Sequence, residues 1–168
     1  MLACLGLTAA FLLLCLWRLW LPSIEYFDEI HYLPAARDLL TGYEYRNPEH
    51  PPLGKEIIAL GIALLGDNPW GWRVFSLVAG ALALFAGMRA LWHASRDRDA
   101  TIAFGVLLAT GFQLFIHARI AMLDVFMAAF FLAALWQLAA SFRAASALGA
   151  RINLGLAGIA LGLSLIHI

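Results

Sequence analysis

Charged side chains are scarce in this chain. Only 13% of its 168 residues are Asp, Glu, Lys or Arg, about half the share of an ordinary soluble domain. Hydrophobic residues make up 63%, and mean hydropathy is +0.83. A domain of this size keeps much of its surface wet, so one small core cannot hide that excess. A free soluble globule, a disordered tail and a fibrous repeat are excluded. Net charge is missing as well, because 11 basic and 11 acidic residues cancel, so no global field draws in nucleic acid. Lysine is nearly absent, with Lys55 standing beside ten arginines. Cysteine is confined to Cys4 and Cys15 in the first apolar run, which excludes a disulfide framework and a metal-ligand spacing. No internal repeat is visible. A membrane protein is what remains.

The expected fold is all-α, a polytopic transmembrane helical bundle. Crossing the hydrocarbon takes about 20 apolar residues, and about five runs suit it: 2–21, 74–92, 100–116, 122–142 and 153–168. Trp17 and Trp20 suit the interfacial belt, and Arg18 is close enough to the run's end to snorkel. No basic residue precedes the first run and no small-residue cleavage site follows it, so it reads as an uncleaved anchor. The apolar piece 53–65 is too short to span and suits an interfacial or re-entrant helix. With that parity, the arginine-bearing loops 94–99 and 143–151 share one side, the cytoplasm by the positive-inside rule. The loop 22–73 and the turn 117–123 then share the other. The run 153–168 opens a span without completing it, which predicts the N-terminal region of a larger protein. Its last six letters, 163–168, resemble translated adapter DNA and carry no argument.

Acid is concentrated in the loop. Eight of the eleven acids, Glu25, Asp28, Glu29, Asp38, Glu44, Glu49, Glu56 and Asp67, lie between Leu21 and Trp70. The adjacent pair Asp28-Glu29, just outside a membrane helix, can do acid–base work or hold a divalent cation; it can also cap a helix. Pro34 predicts a helix start near itself, which would put Asp28 too early to cap. In Asn47-Pro48-Glu49-His50-Pro51-Pro52-Leu53-Gly54-Lys55, proline stiffens the chain around His50 and aims Glu49, His50 and Lys55. The same segment also suits a plain rigid turn with Lys55 snorkelling. Arg119 and Asp124 flank the mouth of a span, where charge is costly unless paired or wet. They suit either a pair with each other or, for Arg119, bidentate phosphate binding. Trp70, Trp72 and Arg73, just before a span, suit interfacial anchoring. His93 suits interfacial filler, and Gly80, Gly87, Gly105 and Gly111 suit close helix contact.

The succession Phe27-Asp28-Glu29-x-His31, then His50-Pro51-Pro52-Leu53-Gly54-Lys55, then Arg119-x-x-x-Leu123-Asp124 resembles the protein O-mannosyltransferase family. It resembles more loosely the bacterial lipid A aminoarabinose transferases; both belong to the GT-C class of polytopic glycosyltransferases. The likeness spans about residues 26–124. It implies an enzyme that moves a sugar from a polyprenyl-phosphate carrier to an acceptor on a protein, lipid or glycan, with inversion, outside the cytoplasm of a bacterial plasma membrane. By that likeness Asp28 matches the catalytic base, and Glu29 a residue positioning the acceptor or a metal. Arg119 matches a basic residue near the carrier phosphate and Asp124 an outward-facing acid. A departing sugar phosphate needs positive charge opposite the base, which Arg119 and Lys55 would supply. Glu49 and His50 fall where the aminoarabinose transferases have a Glu-Lys pair whose Glu joins a metal site. His50 departs from that Lys, which leaves a divalent ion at Glu49 open. Two other classes compete. A transporter would place ionisable groups midway along its spans, whereas here they sit at the ends. A non-catalytic assembly partner would keep the fold without activity.

Overall fold

The computed structural model describes residues 1–42, 47–50 and 52–165. Eight helices run in chain order among them: α1 (Leu2–Leu16), α2 (Glu29–Thr41), α3 (Pro52–Leu65), α4 (Pro69–Ser95), α5 (Arg98–Thr110), α6 (Phe112–His117), α7 (Asp124–Ser141) and α8 (Ala147–Leu165). The described residues contain no strand. In lipid every backbone polar group must be satisfied within the protein, and helices achieve this segment by segment. The expected all-α membrane bundle is what the chain builds.

Helix α4 is the axis. Its 27 residues reach about 40 Å at 1.5 Å each, more than the hydrocarbon needs. Asn68 starts it, its side chain accepting from the amides of Trp70 and Gly71 at 2.9 and 3.3 Å, with Pro69 in the first turn, where no N–H is wanted. Helices α1, α3, α5 and α7 all pack on it, α2 packs on α3, and α8 on α7. Helices α4, α7 and α8 are long and apolar enough to cross a membrane, and α1 is a shorter apolar helix. Helix α3 keeps to 14 residues, as its sequence predicts.

Small residues let these helices close up. A methyl on Gly80 would stand 2.5 Å from Cβ of Ala118, which is how the turn after α6 reaches the axis. A methyl on Gly61 of α3 would strike the carbonyl oxygen of Gly71 at the start of α4. Backbone cannot swing aside as a flexible side chain can. Gly61→Ala is therefore expected to cost about 1–3 kcal/mol, read as a lower midpoint of unfolding in detergent; an unchanged midpoint would count against this packing.

Three segments differ from their sequence expectation. The first apolar run leaves helix at Leu16, because Trp17 turns extended (ψ 117°) and Arg18 takes a left-handed φ of 57°. Trp17 and Trp20 remain exposed, and Trp20 meets Trp70 at 5.7 Å between ring centroids, a belt at one level. The run 100–116 is not one helix. It breaks at Gly111, whose ψ of 121° ends α5 before α6 begins; glycine holds helix least well. Helix α2 begins at Glu29, not near Pro34, which lies inside it at the cost of one ladder hydrogen bond. Asp28 thus does occupy the N-cap position, yet its side chain makes no capping bond.

The two ends of the bundle differ as parity predicts. At one end Met1 and Leu2 lie beside Trp92 and Arg98, and Arg143 donates to the carbonyls of His93 and Ala94 at 3.1 and 3.3 Å. The opposite end gathers the close of α1, the acid-rich loop, the start of α4 and the turn before α7. Its arrangement follows.

Candidate functional site

One buried ion pair organises the acidic end. Glu29 and Arg73 are both fully buried, and the pair is bidentate: Nε and Nη2 of Arg73 each donate to a carboxylate oxygen at 2.7 Å. Arg73 also donates to the carbonyls of Leu19, Pro22 and Ile24 at 3.1, 2.8 and 3.3 Å. Glu29 in turn accepts from the amides of Tyr26 at 3.0 Å and Ala121 at 2.9 Å. Burying two charges is expensive unless every lone pair and proton is used, and here nearly all are. Four stretches of chain meet at this pair: the exit of α1, the start of α2, the start of α4 and the turn before α7. Glu29, expected to help hold an acceptor or metal, has a carboxylate already filled by protein donors. Arg73, which the sequence offered as an interfacial anchor, is its partner.

A second clamp lies nearer the surface. Arg37 of α2 donates to Asp67 at 2.8 and 3.0 Å and to Glu25 at 2.6 Å, and Trp72 donates to Asp67 at 2.6 Å. The hydrogen bonds from Arg37, ahead of that from Trp72, hold the Asp67 carboxyl below the usual carboxylate range against a partial cost of burial. A depressed acid contributes stability above its unfolded value, about 3.9, and loses that contribution as pH falls through its lower folded value. Acidification below about pH 4 is therefore expected to loosen α2 from the α3–α4 turn, with Asp67→Asn removing that part of the pH dependence in an unfolding titration. The pair is partly exposed, so salt should weaken the effect.

With Glu29, Glu25 and Asp67 engaged, Asp28 stands apart. Its backbone carbonyl accepts from His31 and Tyr32, while its half-buried carboxylate has no hydrogen bond or ion pair among the described residues. Phe27 before it takes a left-handed φ of 56°, a conformation that costs a bulky side chain about 1–3 kcal/mol and is typical of backbone held for function. Tyr32, one turn on, is buried. Burial pushes its phenol up, and the negative charges of Asp28, Asp124 and Glu49 push it further in the same direction. Three acids from three segments thus face one tyrosine. The ring of His50 meets that tyrosine edge-on at 5.7 Å, and exposed Glu49 accepts from Asn47 at 3.1 Å. Asp124 is exposed at the start of α7.

The two expected phosphate-side cations have other partners. Arg119 does not pair with Asp124 among the described residues. It reaches back to α1, donating to the carbonyls of Cys15, Trp17 and Arg18 at 3.1, 2.8 and 3.0 Å, and its guanidinium lies 5.3 Å from the Phe115 ring centre. It thereby satisfies carbonyls left open where α1 ends and complements the helix dipole. An incoming phosphate would compete with them. Lys55 is buried and donates to the carbonyls of Asn47 and His50 at 2.6 and 2.7 Å, bracing the turn that presents Glu49. Among the described residues no three His, Cys, Asp or Glu side chains stand together to hold a metal, and no step below is routed through one. Glu44 and Pro51 lie outside the described residues, as do 166–168.

Sequence reasoning thus missed Arg73, Arg37 and Tyr32. A buried arginine 44 positions from its acid leaves no local trace. The one available signal was its place at the head of an apolar run, where an unpaired charge is costly.

Fold and site together define a multi-pass helical membrane protein with an acid-lined cluster at one end of its bundle. Comparison with known proteins is specific about its relatives. The chain is 36% identical over 124 residues to a polyprenol-phosphate-mannose–protein mannosyltransferase of Corynebacterium glutamicum, covering 67% of this chain and 24% of that protein. It is 37% identical over 114 residues to the same-named protein of Mycobacterium tuberculosis, 64% of this chain and 22% of that one. With an undecaprenyl phosphate-alpha-4-amino-4-deoxy-L-arabinose arabinosyl transferase of Pseudomonas aeruginosa it shares 33% identity over 103 residues, 55% and 17% of the two chains. The chain spans about a quarter of the length of the mannosyltransferases it matches. No family model and no solved structure matches it. The chain is accordingly related to polyprenyl-phosphate-sugar-dependent glycosyltransferases.

Proposed function

We propose that this chain carries the acid-bearing end of a membrane glycosyltransferase that moves a mannose-like sugar from a polyprenyl-phosphate carrier to an acceptor hydroxyl on a protein, lipid or glycan. The observation that carries the reading is Asp28: a half-buried carboxylate, unpartnered among the described residues, held beside a fully satisfied Glu29. A base must be both rigid and free, and Asp28 answers to both among the described residues. In the reaction Asp28 removes the acceptor's hydroxyl proton as the oxygen attacks the anomeric carbon. The bond from that carbon to the carrier phosphate breaks on the opposite face, giving inversion and releasing the carrier phosphate. Glu29 acts as a positioning residue through the backbone, and Asp124, Glu49, Tyr32 and His50 line the acceptor side. Arg119 is the cation nearest a departing phosphate, at the junction of α1 with the turn before α7.

The arginine-bearing end would face the cytoplasm of a bacterial plasma membrane, and the acidic end the outside. Cys4 and Cys15 are buried, so single cysteines placed at exposed Ser23 and Arg98 should report cleanly. A membrane-impermeant maleimide on intact cells is expected to label position 23 and spare position 98. For the activity, membranes holding the complete reading frame should transfer labelled mannose from polyprenyl-phosphate-mannose to acceptor. Absence of transfer with every polyprenyl-phosphate sugar tried would overturn the proposal.

A further inference from the structure

At the end opposite Asp28 lies a groove that the sugar chemistry does not use. Helices α4, α5 and the close of α7 border an open groove of about 600 Å³, within the range of sites that hold a small ligand. Its walls are apolar, including Phe104, Leu135, Leu138 and Phe142. Gly87 opens it, since a methyl there would stand 3.0 Å from the Phe104 ring. Its mouth carries the cation Arg143 beside His93, and no acidic side chain among the described residues lines it.

The polar groups at and behind the mouth are short of acceptors. Arg89 reaches His93, with Nη2 3.0 Å from Nε2. A guanidinium can only donate, so Nε2 is the acceptor in that contact and the imidazole proton belongs on Nδ1, an assignment made from the network. That Nδ1 is buried and has no partner among the described residues, and neither has the buried Nε of Arg89. Arg143 donates only to main-chain carbonyls, those of His93 and Ala94. Arg96 lies over the Trp92 ring at 5.6 Å, and Arg89 over Trp136 at 5.9 Å. None of these arginines has a carboxylate partner among the described residues. An apolar slot with an arginine at its mouth, and further arginines close by on the same end, is complementary to a molecule with a greasy tail and an anionic head.

We infer that this groove binds an anionic glycerophospholipid of the leaflet at the arginine-bearing end. One acyl chain lies between Phe104 and Leu138, and the phosphate sits against Arg143. Basic pockets between transmembrane helices hold such headgroups. The inference does not depend on the chemistry proposed for Asp28.

The test reconstitutes the protein in phosphatidylcholine nanodiscs doped with phosphatidylglycerol carrying a diazirine midway along one acyl chain. After irradiation, labelled peptides are mapped by mass spectrometry. Labelling is expected to concentrate within residues 135–143 and at Phe104, to be competed by unlabelled phosphatidylglycerol, and to be indifferent to added phosphatidylcholine or inorganic phosphate. Arg143→Gln should weaken competition by phosphatidylglycerol about fivefold, the share of one surface cation. Leu138→Trp, which fills the slot while leaving the cations in place, should abolish labelling there with the unfolding midpoint unchanged. Labelling spread evenly over α1 and α8, equal competition by phosphatidylcholine, competition by inorganic phosphate, or indifference to both variants would each overturn it.

Discussion

Asp28→Asn in the complete protein is expected to lower sugar transfer by about 10²–10⁴-fold, the usual worth of a positioned base, while helix content and unfolding midpoint stay as they are. The expectation of an intact fold is as specific as that of lost activity. The Asp28 side chain caps nothing and pairs with nothing among the described residues, so the isosteric amide removes a proton acceptor and no structural bond. Binding of the carrier sugar should persist, with the loss falling on kcat more than on KM, because a base acts in the transition state. A variant that transfers sugar at the normal rate would remove Asp28 from the chemistry. One that unfolds would mean the carboxylate has a structural partner.

Glu29→Gln and Arg73→Met, made singly, should behave in the opposite way, with stability lost first and activity as its consequence. Removing one partner of a buried ion pair strands the other, at about 3–5 kcal/mol. Glu29→Gln keeps the shape but loses the charge facing the guanidinium. Arg73→Met keeps much of the volume and leaves three carbonyls and a carboxylate unanswered. The double variant should recover part of the loss, since no lone charge remains buried. Unfolding midpoints in detergent, read as a double-mutant cycle, check this. Strict additivity of the two single effects would show that the pair does not act as a unit.

How much of this could be read from sequence depends on range. Local signals worked where they were local. The length of 53–65 matches the 14 residues of α3, and the arginine loops marked one end of the bundle. Parity then placed the turn before α7 at the acidic end, and the hydrogen bond from Ala121 to Glu29 shows it there. Pro34 misled because α2 tolerates a proline in its second turn once Tyr32, Leu33, Ala35 and Ala36 are buried, packing outweighing one missing bond. The splitting of 100–116 at Gly111 was hidden because hydropathy does not register a ψ angle. Charged residues were legible as a group but not in their division of labour. Glu29 and Arg119 look as exposed and available as Asp28 in the sequence, and only distant partners separate them from it.

The hold of Arg119 on the close of α1 joins residues about 100 positions apart, and Ala121 reaches Glu29 across 92. A nascent chain that has delivered only α1 and α2 therefore cannot yet shape the surroundings of Asp28. The acidic loop must wait, partly unbraced, for the stretch before α7 to be made and inserted. Order at the acidic end is in this sense deferred: assembly of the bundle itself determines when Asp28 is set in place.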